Sequence, residues 1–356
     1  MMTLLNYNRT HLIEYVRQNF GKNESYGDAL FRYLYHGSSR NFDFEKHLSF
    51  QHFLERVITT DMPRIGPREE QEGTVKFLLD MNQNYYSESV IIPMQHYSTL
   101  CLSSQIGCRY GCAFCATGNM GFIRNLTTAE IVAQVLSARF ALGVSDLQNV
   151  VFMGMGEPFD NFDNLVESLD ILSDERGLNI PKRRISLSTA GHGEGILKLT
   201  KLCESRPDEN YHTLHLSLSL HSAQDHIRET LMPINKAYPL GELRKVLLDS
   251  PYSQSKDGLY IEYMIIPGIS DQEGELEALN QFLEGMKVKI NLIPYNPVKG
   301  SPWRSPTSEE TTRVWNKMKD AGYYCRTRQS KGETMMAACG QLGSRSIEHE
   351  STGSFI

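Results

Sequence analysis

Apolar positions in the first part of the chain recur at helical spacing. Leu12, Ile13, Tyr15, Val16 and Phe20, then Phe31, Tyr33 and Leu34, then Phe53, Leu54 and Val57 form such stripes, the pattern an amphipathic helix turns toward a core. The pattern predicts a mostly helical accessory unit over residues 1–73. Two β-branched runs follow, at 74–78 and 88–92, with Asn82-Gln83-Asn84 as a turn between them. They read as a strand-rich connection over 74–97. From residue 98 the pattern changes again, and short apolar runs alternate with amphipathic stretches. Strands are predicted at 99–103, 149–153, 184–188, 212–219, 259–266 and 288–295. Each precedes a helix, at 127–140, 164–172, 196–203, 240–248, 273–286 and 308–321. A last strand, 323–328, leads into a tail over 343–356. Thr127 or Thr128 with Glu130, and Ser308 with Glu309 and Glu310, supply the helix-start signals.

Strand–helix units in series, with near-continuous apolar strands, predict an α/β fold built on a parallel sheet covered by helices. An open doubly wound sheet and a partial barrel both fit. In either, ligands bind beyond the carboxyl ends of the strands, so the residues at those ends are the first candidates for chemistry.

Composition narrows the class. The chain has 356 residues, 40% hydrophobic and 22% charged, which is globular composition rather than disorder. No apolar run approaches the roughly 20 residues that a spanning helix needs. The first residues, Met-Met-Thr-Leu-Leu-Asn-Tyr-Asn-Arg, lack the apolar stretch of an export signal. Seven cysteines, at 101, 108, 112, 115, 203, 325 and 339, form an odd set in a long chain, which suits a reducing cytoplasm better than a disulfide scaffold. A net charge of −6 gives no global basic footprint. Residues 296–331, however, carry eight Lys and Arg against three acidic residues, beside Tyr295, Trp303, Tyr323 and Tyr324. Basic groups interleaved with aromatics suit phosphate contact and base stacking, as they also suit a solvated helix face.

Four cysteines crowd into 101–115. Cys108, Cys112 and Cys115 form a C-x3-C-x2-C run just after the first core strand. Three thiolates leave a tetrahedral zinc incomplete unless Cys101 joins them, whereas a [4Fe–4S] cluster held by three keeps one iron open. After the second strand comes Gly154-Met155-Gly156-Glu157-Pro158. Its glycines permit close backbone approach, and its carboxylate suits an ammonium group. Cys203, inside a helical pattern, and Cys325, inside a strand, read as ordinary packing residues.

The cysteine run, with Phe114 before its last member, resembles the signature of the radical S-adenosylmethionine (SAM) enzymes. The Gly–Glu–Pro turn is similar to their SAM-amino-group loop. Longer strings resemble the RlmN/Cfr family of RNA adenine methyltransferases: residues 101–108, Cys115-Ala-Thr-Gly118, Asn125-Leu-Thr127, Leu231-Met-Pro-Ile-Asn235, 291–297 and Ala337-Ala-Cys-Gly-Gln-Leu342. The likeness covers about residues 74–342; the first 70 share only helical character.

The resemblance implies a partial (β/α)6 barrel over 98–342, with the helical unit docking RNA. It implies a [4Fe–4S] cluster on Cys108, Cys112 and Cys115, and SAM held by Gly156, Glu157, Ser188, Ser219, Leu220, His221 and Asn296. It further implies that Cys339 accepts a methyl group from one SAM, and that a second is cleaved to a 5′-deoxyadenosyl radical that activates the methyl. The carbon then adds to adenine at C2 in large-subunit ribosomal RNA and, in some members of the family, in transfer RNA. Glu88 removes the ring proton, and Cys101 releases the product by forming a disulfide with Cys339. The adenine carbons have no lone pair to attack a SAM methyl directly, which is why two thiols are required. A reduced flavodoxin or ferredoxin is the implied electron donor. Two departures stand out: the segment before Ala337 reads Glu333-Thr334-Met335-Met336, without the family's usual acidic placement, and the tail lacks its basic character. Three rivals remain: C8 rather than C2 methylation, a radical reaction on a small molecule, and a zinc-stapled RNA-binding module without catalysis.

Overall fold

The computed structural model describes residues 4–36, 62–81, 85–298, 300–328 and 336–343. Ten strands make one sheet: β1 (Ile65–Gln71), β2 (Thr74–Asp80), β3 (Tyr86–Pro93), β4 (Ser98–Cys101), β7 (Leu147–Phe152), β8 (Ile185–Thr189), β9 (His215–Ser219), β10 (Leu259–Ile265), β11 (Val288–Pro294) and β12 (Tyr324–Thr327). A separate hairpin pairs β5 (Gln105–Gly107) with β6 (Phe122–Asn125). The strands β1 to β4 are antiparallel, and every pair from β4 through β7 to β12 is parallel. Their spatial order follows the chain without reversal. A doubly wound sheet requires a reversal; sequential order winds the sheet one way, as in a partial barrel.

The parallel strands are buried on alternating and consecutive positions alike, with Ile261, Tyr263 and Ile265 of β10 fully enclosed, as expected for strands covered by helices. The helices that follow them include α4 (Thr128–Leu136), α5 (Phe162–Ser173), α6 (Gly193–Ser205), α8 (Leu240–Asp249), α9 (Glu273–Leu283) and α10 (Ser308–Asp320). The Thr127 hydroxyl accepts from the Glu130 N–H and Glu130 returns the bond, a reciprocal cap. The last helix starts one residue earlier in its capping than predicted: Thr307, not Ser308, accepts from the Glu310 N–H at 3.2 Å, while Glu310 accepts from the Thr307 N–H at 2.8 Å.

The N-terminal stretch differs from its helical reading. Helices α1 (Arg9–Phe20) and α2 (Glu24–His36) form, but β1 lies inside the stretch expected to be helical, and β2 and β3 extend the core's own sheet rather than linking two units. Leu12, Val16, Leu30 and Phe31 share one apolar cluster with the barrel strands. Asn8 is clamped by Glu167, its N–H at 2.7 Å and its side-chain amide at 3.0 Å, and the Arg9 guanidinium meets Asp174 at 2.9 Å. Among the described residues the helices therefore pack on α5 and share the barrel's apolar core. The predicted element around Phe53–Val57 and the turn at 82–84 fall outside the described residues. The hairpin, the short helices α3 (Ala116–Met120) and α7 (Asp225–Leu231) were not foreseen; each is too brief for periodicity to mark.

Candidate active site at the carboxyl ends of the strands

One cleft of about 930 Å³, counted to its open mouth, lies beyond the carboxyl ends of the parallel strands. Cys108, Cys112, Cys115, Gly156, Glu157, Ser188, Ser219, His221 and Cys339 all line it. They come from loops more than 200 positions apart in sequence.

The cysteine loop is held on every side. The Cys108 N–H donates to Gly121 O at 3.0 Å, Ala113 N–H to Leu231 O at 2.9 Å, and Cys115 N–H to Cys112 O at 3.0 Å. Gly107 is compulsory: its φ is +71°, and a β-carbon there would meet Gly121 O at 1.8 Å. Asp160 gathers the loop against its neighbours, taking Tyr110 OH at 2.9 Å, Arg109 Nε at 3.0 Å and His192 Nε2 at 3.3 Å. Desolvation pushes against its ionisation, and hydrogen bonds from His192 and Tyr110 outweigh it, so the carboxylate stays below its ordinary range.

Burial raises all three thiols. Cys108 is pushed up to about 12 by desolvation, with Cys115 adding to it; Cys112 goes well above the ordinary thiol range; Cys115 rises despite N–H groups of Gly118 and Thr117. Three partly buried thiols that hinder each other's ionisation suit a cationic cluster, which would relieve that repulsion. Among the described residues, no three His, Cys, Asp or Glu side chains converge as a single ion requires. Three thiolates lining one cleft suit a polynuclear iron–sulfur cluster, each on its own iron, better than a zinc that asks for four ligands.

The Gly154–Pro158 turn is equally constrained. A β-carbon on Gly154 would meet Leu102 O at 2.6 Å, and one on Gly156, at φ +97°, would meet the Gln105 side chain at 2.5 Å. Gln105 Oε1 accepts from the Glu157 N–H at 2.9 Å. The Glu157 carboxylate accepts from the N–H groups of Ala190 at 2.7 Å and Phe159 at 3.2 Å. Burial pushes it up to about 7 in spite of them, the condition of a carboxyl awaiting a cation.

The Leu231–Asn235 string explains the next wall. Fully buried Arg228 donates to Asn235 Oδ1 at 2.7 Å, Leu220 O at 3.1 Å, Ala190 O at 2.6 Å and Ser219 O at 3.3 Å, tying the ends of β8 and β9 together. His221, at φ +58°, accepts from the Met264 N–H at 3.2 Å and stands edge-on to Phe114 with centroids 4.8 Å apart. Burial lowers it to about 3, so it is neutral.

Cys339 arrives from the far end of the chain. The Ala116 N–H, next to Cys115, donates to Gly340 O at 2.7 Å, and Thr117 Oγ1 donates to Leu342 O at 2.6 Å. Behind it, Cys101 packs with Val90, Met155, Ala337 and Leu342. Its thiol is pushed up to about 12 by desolvation, further by Cys339, with Arg328 opposing. All seven cysteines are free thiols.

Four expected site residues do not line the cleft. Leu220 turns its side chain into the core and offers only backbone groups. Asn296 is buried just past β11, and Cys101 lies behind the Cys339 loop. Glu88 is wholly enclosed, paired with Lys76 at 2.8 Å, and Lys76 also donates to Met336 O at 3.1 Å. The basic 296–331 face is also altered. Arg304, Arg313 and Arg328 are paired with Glu310, Asp271 and Glu262, and Tyr295 is buried. Tyr324 is half exposed with Arg326 stacked 5.2 Å over it, and Lys319 lies 5.0 Å over Trp315. Glu262, Arg328 and Arg228 were missed as site residues. Glu262 had a visible signal, a lone carboxylate inside the apolar run 259–266.

Comparison with known proteins agrees with the geometry. The radical SAM superfamily model matches residues 102–279. A probable dual-specificity RNA methyltransferase RlmN 1 of Protochlamydia amoebophila is 45% identical over 277 residues, 78% of this chain and 75% of that protein. A dual-specificity RNA methyltransferase RlmN of Desulfotalea psychrophila is 35% identical over 95% of this chain and 94% of its own. A crystal structure of a radical SAM methyltransferase from Sphaerobacter thermophilus superposes with a TM-score of 0.85 at 31% identity, covering 97% of this chain and all of that one.

Proposed function

This chain belongs to the radical SAM superfamily and, within it, to the RlmN family of RNA methyltransferases, and from that premise we propose that it methylates an adenosine, at C2, in large-subunit ribosomal RNA and in transfer RNA. The observation that carries the reading is the latch of the Cys339 loop onto Ala116 and Thr117. It sets a second sulfur-bearing loop, neither cluster ligand nor core, on the cleft that the cysteine run lines.

Cys108, Cys112 and Cys115 hold the [4Fe–4S] cluster, and Gly156, Glu157, Ser188, Ser219, His221 and the backbone of Leu220 hold SAM, with Asn296 supporting that wall. When bound, the two would supply an electron, a cleavable sulfonium and a methyl carbon. Glu157 receives the ammonium group, which draws its carboxyl into the ionised form. Neutral His221 lines the opposite wall, which the buried Arg228 guanidinium braces from behind through Asn235 and backbone carbonyls.

Cys339 carries the carbon to the base. Glu88 removes the ring proton; since Lys76 bridges it to Met336 O, it reaches a nucleobase only once that bridge opens. Cys101 resolves the adduct by attack on Cys339, a step for which its buried thiol must first lose a proton. The target adenosine is extruded from its stack to enter the cleft, guided by the exposed Tyr324, Arg326 and Lys319 face and by the N-terminal helices. A one-electron donor of the flavodoxin or ferredoxin class reduces the cluster. No helix among the described residues is long and apolar enough to cross a membrane, in keeping with a cytoplasmic enzyme.

The test is anaerobic reconstitution with iron, sulfide, SAM and a reductant, followed by nucleoside mass spectrometry of ribosomal and transfer RNA. The expected product is 2-methyladenosine. 8-Methyladenosine would reassign the carbon, and no methyladenosine at all would end the proposal.

A further inference from the structure

We propose that Arg328, set by Glu262, is a catalytic residue that stabilises the anionic sulfur of Cys339 while it takes up its methyl group. The inference rests on the reading of Cys339 as the methyl carrier, and it adds the group that activates that carrier.

The geometry begins with Glu262, in the middle of β10, whose side chain is only 4% exposed. A carboxylate in an apolar strand must be satisfied. Its Oε1 is: Ser217 on β9 donates at 2.8 Å and Asn291 on β11 donates at 2.8 Å. Its Oε2 faces the cleft and meets Arg328 Nη1 at 3.2 Å. Arg328 follows β12 directly and is pinned there, its N–H donating to Leu292 O at 2.8 Å. The same Nη1 lies 3.8 Å from Cys339 Sγ and 3.7 Å from Met153 Sδ. Strands β9, β10, β11 and β12 thus each contribute one element to a relay that ends on the reacting sulfur. An ion pair serving Glu262 alone would have no need to place its guanidinium against the Cys339 sulfur.

The chemistry requires such a cation. To accept a methyl group from a sulfonium donor, Cys339 first releases its proton to solvent. Its lone pair then forms the new S–C bond while the methyl–sulfonium bond breaks. The electrons of that bond stay on the departing sulfur, which leaves as a neutral thioether; nothing is oxidised or reduced. A guanidinium remains charged throughout and donates N–H to sulfur. Once the sulfur is methylated it is a weak acceptor, so Arg328 returns fully to Glu262 and does not hold the product.

Two measurements on anaerobically purified, cluster-loaded protein test this. In the first, Cys339 is alkylated with iodoacetamide at neutral pH without SAM or RNA, and its labelling is followed by peptide mass mapping. Arg328→Met is expected to slow labelling about tenfold, the usual worth of a charge-assisted hydrogen bond to an anion. Arg328→Lys, which keeps the charge, should recover most of the rate, and Glu262→Gln should fall between. In the second, SAM is added without RNA and the methyl group on Cys339 is counted with time; the same ranking is expected. Equal rates for wild type, Arg328→Met and Glu262→Gln would overturn the inference alone. A wild-type Cys339 that acquires no methyl group would overturn both the inference and the functional reading beneath it.

Discussion

Two sulfur-bearing loops meet in the cleft and are held in opposite ways. The 108–115 loop is pinned through its own N–H groups and side chains: Cys108 to Gly121, Ala113 to Leu231, Tyr110 and Arg109 to Asp160. Its neighbours are compact backbone that a single β-carbon would disrupt. The 336–343 segment is held chiefly through its carbonyls, which accept from Lys76, Ala116 and Thr117. Met336 and Gly340 stand at φ of +53° and +83°. The first arrangement is a rigid frame. The second is a docked segment held by separate donors from β2 and α3. In the function proposed above, the ligands of a cluster need the former, and a carrier that meets SAM, then a nucleobase, then Cys101 needs the latter.

The sharpest way to break this comparison is to strike each loop's sulfur. Cys112→Ser should abolish cluster binding and all methylation; iron analysis and the visible absorption of the reconstituted protein check it. Cys339→Ala should keep the iron content of wild type yet form no methyladenosine, which separates the frame from the carrier. Cys101→Ala should instead trap RNA covalently on Cys339, because the adduct forms before the second thiol is needed. A denaturing gel of that variant with no protein–RNA species would reverse the roles given to these cysteines.

A milder probe is pH. His221 packs edge-on against Phe114 of the pinned loop, and burial depresses its pKa to about 3 from an ordinary 6.5. The unfolded chain therefore binds a proton that the folded chain refuses, so the stability this neutral side chain contributes is complete above about 6.5 and is lost as pH falls toward 3. Thermal melts between pH 7 and 4 should show a falling Tm in wild type and a shallower fall in His221→Asn, since Asn tolerates the left-handed backbone and has nothing to titrate. The smallest expected effect comes from the docked loop. Thr117→Val removes one hydrogen bond to Leu342 O, worth about 1 kcal/mol. Hydrogen exchange at residues 340–343 should quicken severalfold while the 108–115 loop stays protected; equal change in both would erase the distinction.

Sequence and tertiary structure divided the work unevenly. The strand–helix series from residue 98 was legible because each element repeats a period of two or 3.6 over enough residues to be counted. The cysteine run and the Gly–Glu–Pro turn were legible because their chemistry depends on close spacing. The antiparallel extension was not, since whether β2 and β3 link units or widen a sheet depends on partners far along the chain. Nor was the choice between a doubly wound sheet and a barrel, which lies in strand order and not in any strand. The Glu262–Arg328–Cys339 relay and the Lys76–Glu88 pair join residues 66, 11 and 12 positions apart, across strands whose neighbours are set by packing. By itself the sequence determined which chemistry the chain can hold, because donors must be present in kind and number. Only the folded sheet decided which groups share one cleft and which stay buried behind it, because distance through space and exclusion of water exist only after the strands have met.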